Sequence, residues 1–143
     1  IPIFNSILKR AGFIFVDRKN NDSAIRSMNY LLEDIKKIPR SVGIFPEGTR
    51  SKDGNFLQFK KGAAIFGINT KMPIVPIAIS GTYNWSQKKI FDFSQSIITF
   101  EFGEPIICKN LTYDDRDSLT KRIKDSIKGM KIDWDEIFTK KQL

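Results

Sequence analysis

The chain has 143 residues, 41% of them hydrophobic and 28% charged, and a formal net charge of +8 at pH 7. That length and apolar content fit one domain with a real core and exclude a disordered chain. No apolar run approaches the ~18 residues of a spanning helix, and the start, at Ile1 rather than Met, lacks the basic-then-apolar pattern of a secretory leader.

In chain order, Ile3, Phe4, Ile7, Leu8 and Ala11 follow helical spacing, and Gly12 comes just past the end. Phe13, Ile14, Phe15 and Val16 read as a short strand closed by Asp17 and Arg18. Asn21, Asp22 and Ser23 are good helix starters. The helix after them puts Ile25, Met28, Leu31 or Leu32, and Ile35 on one face and stops before Pro39. Val42, Gly43, Ile44 and Phe45 read as a buried strand, and residues 51–55 as a polar turn around Asp53 and Gly54. Residues 62–68 predict a short, small-residue helix packed close to its neighbours. Residues 74–79 predict a third strand, apolar throughout and therefore central. A polar-aromatic loop over 81–95, a fourth strand over 96–102 and an amphipathic helix carrying Leu119, Ile123 and Ile127 follow, the helix opened by a capping box of Thr112 and Asp115. Trp134, Ile137 and Phe138 make a last apolar face. The alternation of strands and helices predicts an α/β fold with a mainly parallel or mixed central sheet flanked by helices. With no repeat or linker, residues 1–143 read as a single domain.

The basic balance favours anionic partners: nucleic acid, anionic lipid, phosphorylated metabolites or an acidic carrier protein. A nucleic-acid role is disfavoured by the lack of a recognition motif or a stacking platform. The single cysteine, Cys108, excludes an internal disulfide and receives no role. Histidine is absent, so these residues contain no imidazole base, no imidazole metal ligand and no Ser-His-Asp triad. The densest chemistry lies in Phe45, Pro46, Glu47, Gly48, Thr49, Arg50 and Ser51, where an apolar run ends. One reading is a turn, with Pro46 at its second position, Gly48 supplying positive φ and Arg50 pairing with Glu47. The other is a phosphate site, because Arg50, Lys52, Lys60 and Lys61 crowd together with the hydroxyls of Thr49 and Ser51, and the helix from Gly62 begins beside them. Asp17 and Arg18 are either a structural pair or open on the same sheet edge.

The segment from 45 to 51 resembles the signature block of the glycerolipid acyltransferase family, which includes the lysophosphatidic acid acyltransferases, and matches at every position. Gly12 through Arg18 resembles the family's preceding block. Phe59, Lys60, Lys61, Gly62 and Ala63 resemble its Phe-Lys-x-Gly-Ala segment, and Ile74, Val75, Pro76 and Ile77 its Val-Pro strand. The resemblance spans residues 1–107. It implies transfer of a fatty acyl group from acyl-CoA or an acyl carrier protein to a lysophospholipid at a membrane surface on the cytoplasmic side, with no metal and no cofactor beyond the acyl donor. It further implies that Arg50, with Glu47, Gly48 and Thr49 around it, binds the acceptor's phosphate, with Arg18 and Lys60 as weaker contributors. Gly12, Asp17, Phe45, Pro46, Gly62, Val75 and Pro76 would shape the site.

The departure from the family is the missing catalytic block, a histidine and an aspartate with four residues between them, which the resemblance places upstream of Ile1. The expectation is an incomplete N-terminus, with the base and any membrane anchor on a preceding segment. The alternative is a family member that does not catalyse and instead binds anionic lipid or an acyl carrier protein. Tyr83, Trp85, Lys88, Lys89, Ile90, Phe91 and Phe93 either meet the bilayer or pack under the sheet edge, and Lys121, Arg122, Lys124 and Lys128 read as a solvated face.

Overall fold

The computed structural model describes residues 21–38, 40–83 and 98–130. The chain divides into two compact units, Ile1–Ile44 and Phe45–Leu143. The first expected helix, the strand over 13–16, the loop over 84–95 and the apolar face at Trp134 lie outside the described residues.

In the first unit, α1 spans Asn21–Lys37. It has a buried Ile35 and half-buried Met28, Leu31 and Leu32 on the expected face. The outward side is polar: Glu33 and Lys36 pair at 2.7 Å one turn apart. Past the helix, Ile38 N–H still donates to Asp34 O at 3.0 Å, while the Asp34 carboxylate takes Arg40 at 2.9 Å. The strand expected at 42–45 is not formed. Ile44 is 36% and Phe45 75% exposed, and no ladder partner exists for this run among the described residues. An apolar β-branched composition favours a strand, but only cross-strand pairing makes one.

In the second unit, α2 spans Gly62–Thr70 and a two-stranded sheet joins β1 (Ile77–Ser80) to β2 (Thr99–Phe102). A single 3₁₀ turn, Tyr113–Asp115, then leads into α3 (Arg116–Gly129). The expected capping box is present: Thr112 N–H and Oγ1 donate to Asp115 Oδ2 at 2.7 and 2.9 Å. The core gathers Phe59, Ala64 and Ile68 with Ala78, Ile106 and Cys108, closed by Leu119, Ile123 and Ile127 of α3. Close packing of α2 depends on Gly67, where a Cβ would lie 2.6 Å from Ile74 Cδ1 and 3.0 Å from Cys108 Sγ. That is the physical basis of the small-residue pattern in this helix.

β1 and β2 run antiparallel, Ile77 opposite Phe102 and Ile79 opposite Phe100. The described residues are thus a mixed α/β arrangement with a small antiparallel sheet, and no parallel pairing is found among them. The third strand, expected to be central, has a ladder partner on one side only among the described residues. It alternates, with Pro76 and Ala78 inward and Val75, Ile77 and Ile79 outward. Ile74 and Ile106 bridge one step out of that register. Between this bridge and the Gly103 N–H···O Pro76 bond, Glu104 and Pro105 stand opposite Val75 alone. This β-bulge inverts the inward and outward alternation, so Phe100 and Phe102 face out while Ile106 and Cys108 enter the core.

Candidate functional site

The second unit begins with a tight turn. Pro46 takes its second position, Gly48 N–H donates to Phe45 O at 3.0 Å, and Gly48 has φ +68°. Glycine fits here because the left-handed region carries no Cβ penalty for it. Two further bonds close the loop that leaves the turn. Lys60 N–H donates to Pro46 O at 2.8 Å, and Leu57 N–H donates to Glu47 Oε2 at 2.8 Å. Glu47 is half-buried and works as the base clasp of the loop. The expected pairing of Glu47 with Arg50 is not formed among the described residues. This removes the reading in which Arg50 is only a salt-bridge partner.

The outgoing and returning arms bring Lys60 over Gly48. A Cβ built on Gly48 would lie 3.4 Å from Lys60 Cδ and Cε and 3.6 Å from Nζ. Glu47, Gly48 and Lys60 are therefore neighbours in space, and Thr49 and Arg50 follow the turn, both exposed. Lys61 behaves differently, because its ammonium meets Asp117 of α3 at 2.6 Å. That bond holds the Asp117 carboxyl below the usual range, with the hydrogen bond from Lys61 as the main cause. Phe59, just before the lysines, is core, edge-on to Phe56 and within 5.8 Å of Lys124 Nζ.

At the loop's far end Asp53 accepts from Ser51 Oγ at 2.9 Å and from Asn55 N–H at 3.1 Å, and its other oxygen from Asn55 Nδ2 at 3.0 Å. These bonds, the Asn55 side chain first, pull the Asp53 carboxyl down to about 2. Beside it the ring of Tyr83 packs on Gly54, 3.1 Å from where a Cβ would stand. Both acids of the loop thus accept from neutral N–H and O–H groups. Arg50, Lys52 and Lys60 have no ion pair among the described residues. At the start of α2, Lys61 is the N-cap without a side-chain cap bond, and the first turn holds no acid.

Of the other expected site residues, Gly12, Asp17 and Arg18 lie outside the described residues. Pro46 and Gly62 sit in the turn and at the start of α2. Phe45 is exposed. Pro76 is a fully buried core residue, and Val75, 45% exposed, belongs to the outward face with Ile77, Ile79, Phe100 and Phe102. Lys121, Arg122 and Lys128 are exposed as expected, while Lys124 is half-buried. The contributions of Asp53, Asn55 and Tyr83 were not foreseen. Asp53-Gly54 signalled a turn, but nothing in the spacing pointed to the partners of the carboxylate.

Comparison with known proteins places this geometry in context. A family model described as "Acyltransferase" matches residues 1–80. The 1-acyl-sn-glycerol-3-phosphate acyltransferase of Saccharomyces cerevisiae is 33% identical over 129 residues, which are 89% of this chain and 43% of that protein. The enzyme of the same name from Limnanthes douglasii is 36% identical, covering 87% and 44%, and the human alpha form is 34% identical, covering 82% and 41%. A crystal structure of the 1-acyl-sn-glycerophosphate (LPA) acyltransferase PlsC from Thermotoga maritima superposes with a TM-score of 0.57 at 27% identity, over 78% of this chain and 46% of that one. The chain spans less than half the length of these relatives.

Proposed function

This chain belongs to the acyltransferase family, and on that premise we propose that it serves the transfer of a fatty acyl group from acyl-CoA or an acyl carrier protein to the free hydroxyl of lysophosphatidic acid, giving phosphatidic acid. Its own contribution is the grip on the acceptor's phosphate. One observation carries this reading. The two acids of the loop are engaged by N–H and O–H donors, which leaves Arg50 and Lys60 without a counter-ion among the described residues, beside the Gly48 turn. Arg50 offers a planar fork to a phosphate and Lys60 a point charge from the opposite arm. Thr49 adds a hydroxyl, and the uncapped first turn of α2 adds N–H groups of favourable sign. Arg18 is a further cation for the same anion in this reading.

These residues hold no histidine, so an imidazole base for the acceptor hydroxyl is not part of what they contribute. The outward face of Val75, Ile77, Ile79, Phe100 and Phe102 is the apolar surface we assign to lipid, whether acyl chain or bilayer. No helix among the described residues is long and apolar enough to cross a membrane. Contact at a membrane surface, on the cytoplasmic side, is proposed, and its support is the outward apolar face. The β1–β2 pair is proposed as part of a larger, mainly parallel or mixed sheet. Its support is that β1 has a ladder partner on one side only among the described residues. The test is an acyltransferase assay on the protein expressed from its complete reading frame, comparing lysophosphatidic acid with glycerol 3-phosphate as acceptor. Transfer to lysophosphatidic acid is expected, and absence of transfer to any phosphate-bearing acceptor overturns the reading.

A further inference from the structure

We infer that Asp53 is a positioning residue for the phosphate grip: by clasping Ser51 and Asn55 it holds the loop in the shape that presents Arg50. This rests on the reading of Arg50 as a phosphate ligand and adds a residue outside the signature block.

The geometry of the loop supports it. The segment between Gly48 and Leu57 carries its cations on an exposed arm, so nothing in the core fixes their direction. The arm is instead tied at two places. Glu47 holds its base through Leu57 N–H, and Asp53 holds its tip through three bonds to Ser51 and Asn55. Ser51 follows Arg50 directly, so the bond from its hydroxyl to Asp53 fixes the chain one residue from the guanidinium. The tip is braced from outside as well, because the Tyr83 ring lies on Gly54, whose φ is +79°. Asp53 neutralises none of the loop's cations. It holds the loop without forming an ion pair to Arg50, and such a pair would occupy the group that has to meet phosphate.

The effect of losing the clasp follows from populations. If the presenting shape falls from dominant to about one loop in ten, the apparent dissociation constant of the acceptor rises about tenfold, with no change in the chemical step. Asp53→Asn keeps one oxygen for Ser51 Oγ and Asn55 N–H and stays nearer the parent than Asp53→Ala.

The experiment uses the complete protein and two readouts. In the acyltransferase assay, Asp53→Ala is expected to raise the acceptor KM about tenfold at unchanged kcat, with Asp53→Asn in between. In parallel, glycerol 3-phosphate is titrated into the protein and followed by chemical shift, which needs no turnover. The same tenfold weakening is expected in an otherwise native background, and none when Arg50 is already Ala, because Asp53 acts through Arg50. Unchanged affinity in Asp53→Ala overturns the inference, as does an equal loss in the parent and the Arg50→Ala background. A protein that binds glycerol 3-phosphate but transfers no acyl group refutes the proposed function, and the titration still decides the role of Asp53.

Discussion

Replacing Gly48 with alanine separates two explanations of why glycine stands there. The φ of +68° places an alanine in the left-handed region, a conformational cost of about 1–2 kcal/mol. The space is adequate, because the nearest atoms to a new Cβ are Lys60 Cδ and Cε at 3.4 Å, ordinary contact at the flexible part of a side chain. The whole penalty is therefore in the backbone. Gly48→Ala should lower stability in denaturant unfolding by about 1–2 kcal/mol, or, if the turn opens locally instead, raise the acceptor KM by roughly five- to thirtyfold. Gly48→Asn should do less harm although it is bulkier, since asparagine tolerates this region better than other side chains. The penalty of Gly48→Ala should be the same with Lys60 present or replaced by alanine. A larger loss in Asn than in Ala, or a penalty that vanishes with Lys60→Ala, would show that contact with the lysine and not φ is the constraint.

Arg50→Ala should weaken acceptor use by roughly 10- to 150-fold with unfolding unchanged, from charge-assisted hydrogen bonds of about 1.5–3 kcal/mol each; equal KM values for parent and variant would refute the phosphate role. Lys60→Ala should raise the acceptor KM and Lys61→Ala should not, since Lys61 is held by Asp117; steady-state kinetics on the pair decides it. The Asp53 carboxyl should titrate at about 2 by NMR. Because its folded value lies below the ordinary carboxylate value of 3.8, the clasp stabilises above that value and its contribution is lost as pH falls towards about 2. Titration near 4 in the folded protein would mean the clasp is absent. Gly67→Ala should destabilise by about 1–2 kcal/mol, overpacking against Ile74 and Cys108 outweighing the better helix propensity of alanine; a raised melting temperature would contradict the packing account.

The helices were legible in the sequence because their signals are local. Thr112 and Asp115 state the capping box in their spacing, Leu119, Ile123 and Ile127 state the buried face, and the small residues of α2 state close approach. The strands were less so. Residues 74–79 read as central because they are apolar on both sides, but an apolar residue does not record whether another layer covers it. Val75, Ile77 and Ile79 are outward here. The run at 42–45 has strand composition and no ladder, since pairing is a property of two segments and not of one. In the site, the spacing of Pro46, Glu47 and Gly48 foretold the turn. Glu47 to Leu57 and Lys61 to Asp117 were invisible, because each joins groups that the fold alone brings together.

The bulge at Glu104 and Pro105 has an effect that reaches past its own hydrogen bonds. Without it a single parity would run the length of the strand, and any change to the residues facing outward at one end would have to be matched at the other. With it, Phe100 and Phe102 answer to whatever lies outside the unit, and Ile106 and Cys108 answer to α2 and α3. The two stretches can diverge independently. A lineage can reshape the outward residues for a different surrounding while the interior packing, and the turn that carries Arg50, stay as they are.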